Sequence, residues 1–209
     1  MQKIIITLIA LLSLWSCKNH DHKIISTNLG DMEVLLLDST PKHKENFTKL
    51  VNEGFYDGLL FHRVINGFMI QGGDPESKNA TIDKALGGGG PDYTIPAEIG
   101  VPHFKGMLSG ARMGNSINPE KASSGSQFFI VQGGPVTDSD LDAVERTNNI
   151  KYSQAQRDKY KKIGGYPNLD GEYTVFGEVV KGLDVLDKIA GTPTDSRDRP
   201  TTDIVMKIK

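Results

Sequence analysis

Arg63 stands within residues 61–74, FHRVINGFMIQGGD, among aromatic and aliphatic neighbours and ahead of a polar Gln-Gly-Gly-Asp end. A guanidinium is permanently charged and presents five donors in a rigid plane. Placing it beside apolar surface is costly unless its hydrogen bonds are kept while water is excluded. The combination suits a site that grips a greasy group and polarises one of its oxygens or nitrogens. It also fits a half-buried hairpin whose arginine only snorkels to solvent. No Ser-His-Asp or metal-ligand constellation appears elsewhere, which argues against a peptide hydrolase. His20 and His22, with Asp21, read as a solvated linker rather than a weak metal site, and His62 as a structural neighbour of Arg63 rather than a proton shuttle.

The elements that must position Arg63 are mostly short strands. Residues 24–38 hold two apolar runs around Leu29-Gly30-Asp31 and read as a hairpin. Thr40 and Pro41 then predict a helix over 41–53, with Phe47, Leu50 and Val51 at helical spacing and Gly54 as the stop. Residues 54–74 read as strand, Asn66-Gly67 turn and strand. Further strands are expected at 93–95, 106–109, 126–132, 173–180 (with a bulge at Gly177) and 204–208. A second helix over 182–190 carries Leu183, Leu186 and Ile189 on one face. This is a mainly β chain, a closed or nearly closed antiparallel barrel with helices over its ends.

Two segments stand apart. Residues 87–90 are all glycine but precede Pro91 and no Lys-Ser or Lys-Thr, so a phosphate-binding loop is excluded in favour of a loop lying close to the barrel. Residues 137–167 are dominated by charge and read as a solvated helical insertion, with Ser153 and Gln156 in a capping-box pattern and Gly164 as a stop. The sharper reading of that insertion is a site-flanking or partner-docking element.

The start of the chain predicts export. Lys3, the apolar run 4–14 and Ser16-Cys17 have the anatomy of a signal peptide over 1–16, too short to span a membrane comfortably. Leu14-Trp15-Ser16-Cys17 resembles a bacterial lipoprotein box, in which Cys17 is acylated and becomes the first mature residue. Cys17 is the only cysteine, so an acylated product has neither disulfide nor free thiol. A lipid there would tether the protein without spanning the membrane, through a short linker over 17–23. The expected location is the periplasmic side or surface of a double-membraned bacterium. Cleavage removes Lys3 and leaves 23 Lys+Arg against 26 Asp+Glu, so no nucleic-acid footprint is present. The remaining length suits one domain, over 24–209, expected to be monomeric.

FHRVINGFMIQGGD, followed in order by GSQFFIV at 125–131 and VFGEVV at 175–180, resembles the cyclophilin family of peptidyl-prolyl isomerases. The resemblance implies an eight-stranded antiparallel barrel with a helix at each end and a substrate groove on its outer face. It further implies that Arg63 is catalytic and that Phe68, Met69, Phe129 and Leu169 form the pocket for the proline ring. Gln71 and Gln127 would supply hydrogen bonds, with Ala111 and Arg112 contributing wall and backbone contacts. Clients would be proline-containing polypeptides. A binding module or holdase on the same fold is the rival reading, though a pure scaffold has no need of the guanidinium.

The chemistry asks for little else. Amide resonance gives the X-Pro bond a barrier of about 20 kcal/mol, so unaided isomerisation takes tens of seconds. Twisting returns electron density to the imide nitrogen, which can then accept a hydrogen bond. A guanidinium placed there stabilises the twisted state over the planar ones. Lowering the barrier by about 7 kcal/mol accelerates the reaction roughly 10⁵-fold. No metal or redox cofactor is required.

Four positions depart from the family pattern. Asn168 stands where many relatives carry the tryptophan or histidine that walls the groove, that tryptophan also binding cyclosporin; Tyr173 stands where many carry histidine. Arg112 and Met113 replace smaller or neutral residues and are expected to narrow the neighbouring side pocket and add positive charge.

Overall fold

The computed structural model describes residues 22–209. The export segment, Cys17 and the tether through residue 21 lie outside them. His22 and Lys23, expected in the tether, already belong to the first strand, β1 (His22–Thr27). His22 Nδ1 lies 2.7 Å from Glu33 Oε1 on the paired strand, β2 (Gly30–Leu36).

After this hairpin come α1 (Pro41–Asn52), β3 (Leu59–Ile65) and β4 (Met69–Gly72). Next follow β5 (Thr94–Ile95), β6 (Met107–Gly110), β7 (Ser123–Ser124) and β8 (Phe128–Val131). Two further helices, α2 (Asp138–Asn148) and α3 (Gln154–Ile163), precede β9 (Val175–Lys181), α4 (Leu183–Ala190) and β10 (Val205–Ile208). Eight strands close in the order β1-β10-β3-β4-β8-β6-β9-β2, all pairs antiparallel. β5 and β7 form a separate ribbon, so the strand expected at 93–95 lies outside the barrel.

Closure leaves no edge, and side chains fill the interior. Phe47 of α1 meets Phe128 edge-on at 5.6 Å and Phe176 at 5.3 Å. Val185, Leu186 and Ile189 of α4 bury into the same core. Leu183 is exposed, contrary to the expected face: it lies six residues before Ile189, about 120° round the helix, and Val185 takes its place. Nor does Gly177 itself bulge. The register slips at Phe176, while Gly177 pairs regularly with Leu36 and Leu108. A Cβ there would lie 3.0 Å from Val34 and 3.1 Å from Leu108, so the glycine serves close strand packing.

Thr40 precedes α1 but makes no side-chain cap. Glu98 caps the helix instead, accepting from Lys42 N and His43 N at 3.1 Å each. A carboxylate also complements the positive end of the helix dipole.

The insertion is more than a solvated excursion. Both helices carry complete capping boxes, Thr137 with Asp140 and, as expected, Ser153 with Gln156. Their outer faces exchange ion pairs, Arg157 meeting Asp138, Asp142 and Glu145. A thin inner stripe of Leu141, Val144 and Tyr160 is buried, and Leu141 and Tyr160 join an apolar cluster on the barrel's outer side that includes Phe129 and Leu169.

Candidate active site

A β-bulge puts Arg63 where it can act. Strict alternation along β3 would send Phe61 and Arg63 to the same face. The ladder pairs Phe61 with Gly72 and Arg63 with Gln71, leaving His62 as the extra residue. Phe61 and Val64 therefore point into the core while Arg63 points out. Its side chain is 41% exposed, accessible to a ligand yet set against a packed wall. The residues opposite one another across the next strands are Gln71 on β4, Phe129 on β8 and Ser109 on β6. Arg63, Gln71 and Phe129 thus form one transverse row.

The apolar residues expected to hold a proline ring converge beside this row. Met69, Ala111, Phe129 and Leu169 belong to one buried cluster, with Phe68 and Tyr173 packed against it. The Asn66-Gly67 turn, with Gly67 at φ 77° and Phe68 N donating to Ile65 O at 3.0 Å, delivers Phe68 and Met69 to the same face. Phe68 packs on Tyr166 with ring centres 4.4 Å apart and planes tilted by 42°. Asn168 is exposed in the 3₁₀ turn Pro167–Leu169 and supplies no ring to the wall.

The polar end of the motif organises the glycine loop. Asp74, fully buried, accepts from Gly87 N at 2.5 Å and Gly89 N at 3.3 Å. Gln127 donates to Gly87 O and Gly89 O at 2.9 and 2.7 Å and accepts from Gln71 Nε2 at 3.0 Å. Its side chain is thereby committed to the loop and to Gln71. The glycine loop does lie against the barrel, since a Cβ at Gly89 would collide with the Asp74 carboxylate.

Arg63 is held by a carboxylate. Its Nε donates to Asp198 Oδ2 at 3.3 Å, with no bond to a neighbouring glutamine among the described residues. Asp198 O also accepts from Val64 N at 2.8 Å, which ties the carboxylate's loop to β3. Among the described residues neither guanidinium Nη atom has a hydrogen-bond partner, which leaves both for a ligand. Nothing local in the sequence points to Asp198; only closure of the barrel brings it here.

The charge expected from Arg112 is largely neutralised. Its Nε donates to Glu172 O at 2.8 Å, Nη2 to Glu172 Oε2 at 3.0 Å and Nη1 to Met113 O at 2.9 Å. The guanidinium lies 4.5 Å from the centre of the Tyr173 ring, which meets Phe129 edge-on at 5.7 Å. Arg112 and Tyr173 thus brace the apolar wall. Met113 is exposed at the rim of a neighbouring cavity of about 460 Å³ rather than constricting a buried pocket.

The insertion reaches this wall through Asp170. Tyr152 and Tyr160 each donate to Oδ2 at 2.6 Å, while His103 N donates to Oδ1 at 2.7 Å, the same distance as from His103 Nδ1. Asn148 Nδ2 adds a bond to Asp170 O at 2.8 Å. Asp170 follows Leu169 directly, so α2 and α3 clamp the backbone that presents it. The site-flanking reading of the insertion is the one its packing supports.

Two histidines complete the inventory. His62 is buried with neither ring nitrogen hydrogen-bonded, and burial pulls its pKa down to about 4, leaving a neutral ring. His43 belongs to an arrangement invisible in the sequence. Its Nε2 lies 2.9 Å from Ser123 Oγ and its Nδ1 2.7 Å from Glu98 Oε2, a Ser-His-Glu relay. Ser123 is fully buried and cannot meet a substrate carbonyl. The relay is a structural link from α1 to the β5–β7 ribbon, with burial holding the His43 pKa below its ordinary value.

A closed eight-stranded barrel with an outward arginine beside an apolar wall defines a peptide-binding fold of one kind. The family model for cyclophilin type peptidyl-prolyl cis-trans isomerases matches residues 22–209, and the chain belongs to that family. Its activity is the cis–trans isomerisation of prolyl peptide bonds. Two similar curated proteins have names that assign them to the peptidyl-prolyl cis-trans isomerases. The one from Staphylococcus aureus (strain COL) is 37% identical over 185 residues, 88% of each chain. The one from Staphylococcus haemolyticus is 38% identical over 184 residues, 87% of this chain and 86% of the relative. A crystal structure of a Cryptosporidium parvum cyclophilin type isomerase superposes with a TM-score of 0.66 at 28% identity, covering 90% of this chain and 95% of that one. The same isomerase, crystallised in the presence of the dipeptide Ala-Pro, gives a TM-score of 0.65.

Proposed function

We propose that this isomerase acts on X-Pro bonds of folding polypeptides in the cell envelope, tethered by a lipid on Cys17 and facing the periplasm or cell surface. Arg63 is the residue that lowers the barrier. The observation that carries the assignment is its position: turned outward by the bulge at His62, in one row with Gln71 and Phe129. The cluster of Phe68, Met69, Phe129 and Leu169 grips the proline ring, and Gln71 holds the preceding segment. One end of the bond then rotates against the other. The free Nη atoms donate to the imide nitrogen as it becomes pyramidal, an interaction stronger in the twisted state than in either planar one.

The test is protease-coupled isomerisation of a proline peptide by the soluble domain, wild type against Arg63→Ala. The variant should keep its circular dichroism spectrum and melting temperature and lose kcat/KM by at least about 100-fold. Unchanged turnover removes Arg63 from the mechanism. The tether is tested separately by mass spectrometry of the membrane-extracted protein. An acylated N-terminal cysteine and a tryptophan-free mature chain are expected, since Trp15 is the only tryptophan. A mature chain retaining Trp15 and an unmodified Cys17 overturns it.

A further inference from the structure

Next to Arg63 lies a cavity of about 440 Å³, and Arg63 and Gln71 form part of its wall. The rest of its charged lining is basic: Lys84, Arg112, Arg197 and Arg199 face it, and no carboxylate does. Every one of these cations has an acidic partner, Lys84 with Glu76, Arg112 with Glu172, Arg197 with Asp195, Arg199 with Asp203 and Arg63 with Asp198. Those partners are not in the lining. Arg112 and Arg199 spend their donors on Glu172, Met113 O, Asp203 and the excursion's carbonyls, so the cations open to a ligand are Arg63, Lys84 and Arg197, at 41%, 41% and 46% side-chain exposure. Arg197 and Arg199 are further fixed by carbonyls of the excursion over 75–90. Arg197 donates to Ile82 O and Asp83 O at 2.9 and 2.8 Å, and Arg199 to Thr81 O at 2.7 Å.

A second observation points to a ligand. His62, 4% exposed, lines the cavity with both ring nitrogens unpartnered, and the buried Arg199 Nε also lacks an acceptor. Buried polar atoms without a partner are rare because each forfeits its hydration. A neutral His62 offers one donor and one acceptor, and with Arg199 Nε it belongs to a pocket lined by cations and by no carboxylate among the described residues. Because Arg63 and Gln71 belong to this cavity and to the catalytic row, its occupant reaches it while a prolyl bond lies on Arg63. That describes another part of the same polypeptide.

We propose that this basic cavity is a subsite for an acidic side chain of the client, Asp or Glu, close in sequence to the proline being isomerised. The proposal rests on Arg63 lying at the prolyl bond, and its test separates the two.

The wild-type protein is assayed with proline peptides carrying Glu, Gln or Lys in turn at each of the two positions before and after the X-Pro pair. At low ionic strength, Glu should exceed Gln in kcat/KM by about fivefold at one position at least, with Lys below Gln. The preference should shrink at about 0.5 M salt, where screening acts within a few ångströms. Arg197→Gln and Lys84→Gln should each lower the Glu-to-Gln ratio. The Lys84 side chain pairs with Glu76 Oε2 at 3.1 Å rather than with a carbonyl, so its variant leaves the Arg197 and Arg199 bonds to the excursion in place and guards against a loop collapse caused by losing Arg197. Equal kcat/KM for Glu and Gln at every position overturns the subsite and leaves the isomerase mechanism standing. If Arg63→Ala retains full activity, the mechanism fails instead, and the wild-type Glu-to-Gln ratio still decides the subsite.

Discussion

Removing the Tyr160 hydroxyl tests whether the helical insertion holds the groove wall. Tyr160 is completely buried and donates to Asp170 Oδ2 at 2.6 Å; Tyr152, half-buried, donates to the same oxygen at the same distance. Burial and the neighbouring carboxylate push both phenol pKa values up, so both hydroxyls remain donors throughout the physiological range. A buried hydrogen bond to a charged acceptor contributes about 1.5–3 kcal/mol, and a partly solvated one about 1 kcal/mol. Tyr160→Phe should therefore cost about 2 kcal/mol and Tyr152→Phe about 1 kcal/mol. In either single variant Oδ2 keeps one donor. In the double variant it keeps none, and Asp170 is 3% exposed. The orphaned oxygen should add about 1–2 kcal/mol beyond the sum of the singles. Urea unfolding of the four proteins gives these differences, and a parallel isomerase assay should show KM rising in the double variant as Leu169 loosens. A Tyr160→Phe midpoint equal to wild type, or strict additivity in the cycle, would refute the clamp.

Other expectations follow from single contacts. The fall of the His62 pKa from 6.5 to about 4 means the unfolded chain binds a proton that the folded one refuses. Stability should therefore be full above pH 6.5 and decline by about 3 kcal/mol as pH drops towards 4. His62→Gln should flatten that decline in pH-dependent denaturation, and an identical slope in both proteins counts against it. Glu98→Ala should cost about 1–2 kcal/mol through the lost cap of α1, more than Thr40→Ala; the reverse order in urea midpoints contradicts the capping assignment. With Asn168 in place of a ring, cyclosporin should inhibit weakly while activity is retained, and a tight stoichiometric inhibition curve would show that the missing ring is unimportant. Gly73→Ala should destabilise severely, because Gly73 has φ 89° and a Cβ would strike the Ser126 carbonyl oxygen; an unchanged melting temperature is the adverse result.

Local information was enough for the hairpins and for α1. Those features depend on short-range chemistry: period-two alternation, an Asn-Gly turn, proline at a helix start. It was not enough where a residue's partner lies far along the chain. The Thr40 cap was the expected local solution, yet Glu98 caps α1 from the other side of the β3–β4 hairpin. The insertion looked solvated because only Leu141, Val144 and Tyr160 turn inward among many charges. The Ser123-His43-Glu98 relay is spread over 80 residues of sequence and leaves no motif.

Residues 61–74, read together with 125–131 and 175–180, were enough to indicate the family and with it prolyl isomerisation. Whether Arg63 faced core or solvent was decided by one extra residue in a strand pairing, the bulge at His62. Its electrostatic partner, Asp198, was decided by barrel closure, which brings together groups 135 residues apart. Type and spacing of side chains can be read along a chain. The face a strand presents, and the charge that meets it, depend on register and closure, which exist only once the strands have paired.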